Sequence, residues 1–222
     1  MRVSVLIPAF NEGDRIGPTI RAARAVDEVS EIIVVDDGSA DDTEKQARKA
    51  GARVIRHSRN YGKGAALYSA IGASTGDVLV FLDADVGEHA TEIVKLITPI
   101  AQGRADMTIA KFPASDVKSG WGWVKGLAKK GIFHLASLEV EAPLSGQRAL
   151  RREVLSVLGS LSSGYGVEVG MTIDAAKGGY RILEVPVEMK HRDYGRNWRG
   201  VLHRGRQFLH VAIALAERWA LR

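Results

Sequence analysis

The chain has 222 residues, 45% of them hydrophobic and 26% charged, the balance of a globular domain that buries roughly 70% of its unfolded surface and needs no staples. It has no cysteine, which excludes a disulfide scaffold, a thiolate metal site and a cysteine nucleophile. The net charge is +5, but the segment from Lys190 to Arg222 has eight Lys and Arg against Asp193 and Glu217, or +6, so the 189 residues before it net to −1.

In chain order, the apolar run Val3–Ile7 closed by Pro8 predicts a buried strand, and Ile16–Val26 has helical spacing. Glu31–Val35 predicts a second buried strand ended by Asp36, Asp37 and Gly38. Asp41 and Asp42 cap a helix to about Ala50, with Gly51 as its stop. Val54 and Ile55 start a short strand, Gly64–Ser74 reads as helix, and Val78–Leu82 is a further buried strand ending in Asp83-Ala84-Asp85. This alternation predicts βαβ units in a mostly parallel sheet with helices on both faces, and one domain. Ligands in such sheets gather at the carboxyl ends of the strands. Beyond it, Phe112–Gly131 reads as a loop entering a helix that runs to about Leu138. Pro143–Leu150 predicts a strand, Arg152–Leu158 a short helix and Val167–Ala176 another. Arg181–Val187, with its proline, predicts an edge strand, and Gln207–Leu221 an amphipathic helix.

Asp83 and Asp85 offer two hard oxygen ligands suited to Mg²⁺ or Mn²⁺, although acids ending a strand also serve as helix caps. Asp36-Asp37 has the same two readings: acceptors for a base or ribose, or caps. Asn60-Tyr61-Gly62-Lys63-Gly64 is a turn with a cation for an anionic or carbonyl ligand. It is not a P-loop, since Gly64 stands where Ser or Thr is needed. His191 either leans over the sheet edge or is a solvated loop histidine. Arg148 either forks onto a phosphate or makes a structural ion pair. No GxSxG elbow is present.

In order, VSVLIPAFNE (3–12), VDDGS (35–39), NYGKGAAL (60–67) and DVLVFLDAD (77–85) resemble the nucleotide-binding half of family 2 glycosyltransferases with the glycosyltransferase-A fold. The later pieces SGQRALRREVL (145–155) and EVPVEMKHRDYGRN (184–197) are most similar to polyprenyl-phosphate mannose and glucose synthases. GYGVEVG (164–170) is also similar to glucosyl-3-phosphoglycerate synthases. The resemblance implies a donor half (1–110), an acceptor half (111–189) and a basic loop and helix (190–222). It implies that Pro8, Ala9, Glu12, Asp37 and Gly38 hold the nucleoside, with Lys63 nearby. Asp83, Ala84 and Asp85 would serve the ribose and a divalent metal, and His191 would complete the metal shell. Gly146, Arg148 and Arg192 would grip an acceptor phosphate, with Glu168 beside the sugar or acceptor. Within these 222 residues no spanning tail of the lipid enzymes and no extensions of the phosphoglycerate enzymes are expected.

The reaction so implied is attack of an acceptor oxygen on the anomeric carbon of a nucleoside-diphosphate sugar, with a metal offsetting charge on the leaving diphosphate. Trp121, Trp123, Lys125, Lys129 and Lys130, together with the basic terminal helix, suit an anionic membrane face, which puts polyprenyl phosphate first as acceptor and 3-phosphoglycerate second. No run reaches the ~18 apolar residues of a spanning helix and the start is too short for a signal peptide, so the expected place is the cytoplasm, at the inner face of the membrane. Nucleic acid is not an expected partner, because the strand-end acids would repel its backbone. A homodimer is left open. The contrasting reading is a non-catalytic sugar- or nucleic-acid-binding module.

Overall fold

The structure, a computed structural model, describes residues 1–113, 122–159, 166–189 and 198–220, with side chains in the last segment described from Phe208. Strand and helix alternate through β1 (Val3–Ala9), α1 (Gly13–Arg24), β2 (Val29–Asp36), α2 (Thr43–Lys49), β3 (Arg53–Arg56), α3 (Lys63–Ala73) and β4 (Val78–Phe81). A 3₁₀ turn over Gly87–Glu92 leads to α4 (Ile93–Ala101) and β5 (Met107–Lys111), neither of which the sequence reading contained. Then come α5 (Gly122–Ala136), β6 (Arg148–Arg151), α6 (Val167–Lys177), the edge strand β7 (Ile182–Pro186) and α7 (Trp198–Ala220).

These strands make one seven-stranded sheet in the order β3-β2-β1-β4-β6-β5-β7. All pairings are parallel except those of β6, which runs antiparallel to both β4 and β5. The expected strand over Pro143–Leu150 is therefore corrected. Residues 143–147 are turn and coil, and pairing begins at Arg148 opposite Phe81.

Period-two alternation divides the central strands between two cores. Val3, Val5, Ile7, Ile32 and Val34 pack with Ile16 and Ile20 of α1 and with Ile93, Leu96 and Ile97 of α4. Leu6, Ile33, Val35, Leu79 and Phe81 face the other way, onto Ala66, Leu67 and Ala70 of α3 and Val167 and Met171 of α6. Helix α6 is apolar on its outer face too, where Val169 and Ile173 meet Val124, Ala128 and Ile132 of α5 and Val211 of α7. A helix apolar on two faces needs cover on both; here the sheet covers one and α5 and α7 the other.

Glycines set how closely these outer helices approach. A Cβ at Gly131 would fall 2.3 Å from Leu215, and one at Gly166 would fall 2.6 Å from the His210 carbonyl oxygen. One ion pair fastens α7: Arg218 Nε donates to Asp174 Oδ1 (2.8 Å) and its Nη2 to Oδ2 (2.6 Å), with the two side chains only 8% and 12% exposed. Among the described residues, no helix is long and apolar enough to cross a membrane.

Asp174→Ala leaves the buried Arg218 guanidinium without its bidentate partner and with Glu217, 3.8 Å away and half-exposed, as its nearest remaining carboxylate, and should cost about 3 kcal/mol. Urea unfolding measures it; a loss below about 0.5 kcal/mol would mean the pair behaves as an exposed one.

Candidate functional site

Strands β1, β2 and β4 all end at one edge of the sheet, and there the acids collect. Pro8 is tolerated in a central strand because of register. Leu6 accepts from Leu82 N (3.1 Å), so Leu6 and, two residues on, Pro8 point their backbone groups toward β4, whose pairing with β1 has stopped at Leu6–Phe81. The amide that proline lacks thus faces a gap. Ala9 points the other way and accepts from Asp37 N at 2.8 Å. Beyond β4, buried Thr19 of α1 fixes the acidic turn from behind: its hydroxyl donates to the Ala84 carbonyl (2.8 Å) and accepts from Gly87 N (2.8 Å).

Lys63 is the centre of the edge. It opens α3, and its Nζ lies 2.9 Å from Asp83 Oδ1 and 2.9 Å from Glu168 Oε1. Burial works against its charge, but Asp83 and Glu168 more than offset that and hold its pKa above the ordinary lysine value. A cation stabilised in this way contributes fully at every pH below the ordinary lysine value, and the contribution goes only as pH rises past it. Asp83 Oδ2 in turn accepts from Gln147 Nε2 at 2.8 Å, while Gln147 Oε1 is buried with no hydrogen-bond partner among the described residues. Gly146 is packed onto the pair, since a Cβ there would fall 2.6 Å from Lys63 Nζ and 3.0 Å from Asp83 Oδ2. The reversed direction of β6 brings Gly146 and Gln147 here, because the strand starts where β4 ends.

Arg148 corrects its expected role. It is fully buried, and donates from Nε to the Ser145 carbonyl (2.7 Å), from Nη1 to Thr172 Oγ1 (2.7 Å) and from Nη2 to the Pro143 carbonyl (3.1 Å). Burial lowers its pKa to about 10, with Glu168 and Glu184 pulling the other way. The guanidinium braces the turn before β6 and cannot reach an acceptor phosphate in this conformation. Thr172 passes the contact on, donating to the Glu168 carbonyl at 2.9 Å.

Asp37, 3% exposed, accepts from Tyr61 N (3.0 Å), Gly62 N (2.7 Å) and His57 Nδ1 (2.7 Å), which fills three of the roughly four acceptor positions of a carboxylate. Gly38 has φ +76°, and a Cβ there would fall 2.5 Å from the Arg59 carbonyl carbon. Glycine alone lets the 59–60 backbone lie against the end of β2. Glu12 precedes α1, its amide on Thr43 Oγ1 (2.9 Å) and its carboxylate 3.5 Å from Arg15. Asp85 is half-buried and makes no hydrogen bond or ion pair among the described residues. No group of three or more His, Asp or Glu that could hold a metal occurs among the described residues. His191 and Arg192 lie outside them.

The structure thus brings Lys63, Asp83, Gly146 and Glu168 together, and ranges Pro8, Ala9, Asp37 and Gly38 along the same edge. The sequence reading missed Thr19, His57 and Gln147, whose partners are distant in the chain. Phe10 and Tyr61, which the sequence offers only as members of their turns, are aromatics 45% and 51% exposed. An exposed aromatic directly after a buried strand was the available signal for Phe10.

A family model described as glycosyl transferase family 2 matches residues 4–159. The glucosyl-3-phosphoglycerate synthase of Mycobacterium tuberculosis is 36% identical over 197 residues, which cover 78% of this chain and 60% of that protein. The dolichol-phosphate mannosyltransferase of Pyrococcus furiosus is 30% identical over 212 residues, 89% of this chain and 59% of that one. The chain therefore spans about three fifths of the length of these curated relatives. Among solved structures, the M. tuberculosis synthase with Mg²⁺ and uridine diphosphate superposes with TM-score 0.82 at 31% identity, covering 98% of this chain and 79% of that one. Its complex with Mn²⁺, UDP-glucose and phosphoglyceric acid superposes with TM-score 0.79 at 30% identity, with the same coverage. The expected glycosyltransferase-A architecture, including the terminal helix, is the one found.

Lys63→Met should leave Asp83 and Glu168 facing each other without a cation and cost about 2–3 kcal/mol at pH 7. Because Asp83 and Glu168 hold the Lys63 pKa above the ordinary lysine value, the deficit should be the same at about pH 7 and about pH 9, where the ammonium is fully charged in folded and unfolded chains alike. Urea unfolding of both proteins at the two pH values measures this; a deficit that shrinks between about pH 7 and about pH 9 would show that the two acids do not hold Lys63 as a cation.

Proposed function

We propose, for a chain that belongs to glycosyl transferase family 2, that it transfers a hexose from a nucleoside-diphosphate sugar of the UDP-glucose kind to a small phosphorylated acid of the 3-phosphoglycerate kind. The carrying observation is the likeness over 98% of the chain to a synthase solved with Mn²⁺, UDP-glucose and phosphoglyceric acid, joined to the carboxylate–lysine cluster at the carboxyl edge of this chain's sheet. Residues 1–110 supply the donor side and 111–189 the acceptor side.

In this reading Pro8, Ala9, Glu12, Asp37 and Gly38 border the nucleoside, and Asp83 meets the ribose while anchored by Lys63 and Gln147. Asp83 and Asp85 are hard oxygen donors that fit Mg²⁺ or Mn²⁺; both Asp83 oxygens already carry partners, so Asp85 is the ligand of first resort. A cation held there would offset the charge on the leaving diphosphate. Lys63 is placed to share its ammonium with that diphosphate, since it is 28% exposed between its two carboxylates. A new bond forms between the acceptor oxygen and the anomeric carbon as the bond to the diphosphate breaks. A hydroxyl acceptor gives its proton to Glu168 or to the leaving phosphate.

Polyprenyl phosphate ranks second, supported by one surface. Phe208, Leu209, Ile213 and Trp219 of α7 are 47%, 57%, 42% and 60% exposed, beside α5 with Trp123 87% exposed. Helix α5 has no acid and three lysines. An apolar, cationic face of this kind suits an anionic lipid surface.

A transfer assay with labelled UDP-glucose or GDP-mannose, Mn²⁺, and either 3-phosphoglycerate or polyprenyl phosphate separates the readings. Aqueous label on phosphoglycerate is expected; label in the organic phase would reverse the ranking, and transfer to neither would remove both acceptors. Asp85→Asn should lower turnover at least about 100-fold with an unchanged unfolding midpoint. Full activity in that variant would end its assignment to the metal.

A further inference from the structure

We propose that His57 is a positioning residue for donor binding: through Asp37 on one side and Ser69 on the other, it sets how α3 is turned and so where Lys63 stands. The inference rests on the reading of Lys63 as a contact to the donor diphosphate. His57 Nδ1 lies 2.7 Å from Asp37 Oδ1 and Nε2 lies 2.9 Å from Ser69 Oγ. A carboxylate only accepts, so Nδ1 is the donor in the first contact. The Asp37 carboxylate also receives the amides of Tyr61 and Gly62, and Gly62, with φ +93°, is the residue from which α3 starts. The Tyr61 ring closes over the imidazole edge-on at 5.4 Å.

His57 therefore holds α3 at two places. Through Asp37 it fixes the turn that delivers Lys63. Through Ser69 it fixes a point six residues further on, which at about 100° per residue lies on a different side of the helix from Lys63. Two fixed points on different sides stop a helix from rotating about its axis. With either point released, small rotations of α3 on its Ala66, Leu67 and Ala70 packing would lengthen the 2.9 Å contacts of the Lys63 ammonium to Asp83 and Glu168.

The three residues have the connectivity of an acyl-transfer triad, but their surroundings do not suit that chemistry. Ser69 lies inside α3, where amides serve the helix and leave no paired donors for an oxyanion. Asp37 is shared with two loop amides. The cluster is a brace.

The test compares His57→Ala, His57→Asn and Ser69→Ala with the unaltered chain by calorimetric binding of UDP with Mn²⁺, the KM for UDP-glucose and for 3-phosphoglycerate, and urea unfolding. The Asn amide can replace the Nδ1 donation to Asp37 but not the contact to Ser69. His57→Ala should weaken UDP binding about tenfold, and Ser69→Ala and His57→Asn about threefold each, as lost hydrogen bonds do. The KM for UDP-glucose should rise and that for 3-phosphoglycerate should stay. UDP affinity unchanged in His57→Ala and Ser69→Ala would overturn the positioning role, as would His57→Asn binding no better than His57→Ala. If His57→Ala fails to fold, Ser69→Ala decides alone. Failure of the unaltered chain to bind UDP would instead overturn the donor reading, and this inference with it.

Discussion

A single ammonium group between two carboxylates organises this molecule. Lys63 belongs to the helix after β3, Asp83 to the end of β4, and Glu168 to the first turn of α6, so one nitrogen joins three elements from both halves of the chain. Remove the cation and the acids repel; remove an acid and a half-buried charge loses one of its two partners. Around this centre the contacts are directional. Gln147 orients Asp83, Gly146 leaves room for the ammonium, and Arg148 and Thr172 fix the backbone that carries Glu168. The strand edge is thus held by side-chain and backbone contacts of the chain itself.

The first half of the sheet was legible because its signals are local. Buried strands ending in acids, followed by glycine and helix starts, place Asp37, Asp83 and Asp85 at one edge without knowledge of long-range contacts. Helix α4 and β5 were less legible. The helix is nine residues long with Pro99 inside it, and the strand has only five residues before the chain leaves the sheet. The order of strands beyond β4 was not legible at all, because nothing in Arg148–Arg151 states which way the strand runs.

Arg148 shows a different limit. An arginine after Ser-Gly-Gln reads the same whether it forks onto a phosphate or braces a turn, and only its burial among the carbonyls of Pro143 and Ser145 separates the two. Thr19 and His57 are silent for a related reason. A threonine inside a helix and a histidine after a short strand are ordinary residues until the chain brings Ala84 and Asp37 to them, across 65 and 20 positions.

The reversed strand β6 separates two tasks that a fully parallel sheet would merge. In a parallel strand the residues at the ligand edge lie at its exit, so the turn that follows is tied to a crossover helix. In β6 they lie at its entrance, and the segment leading in has no ladder before the Gln147 carbonyl, which accepts from Ala110 N (2.9 Å); ahead of that it is held by contacts such as Glu184 to the Ala142 amide and Arg148 to the Pro143 carbonyl. That approach can lengthen, shorten or change composition without shifting the register of any strand. A fold of this plan can therefore keep the ends of β1, β2 and β4 fixed while the incoming segment diversifies.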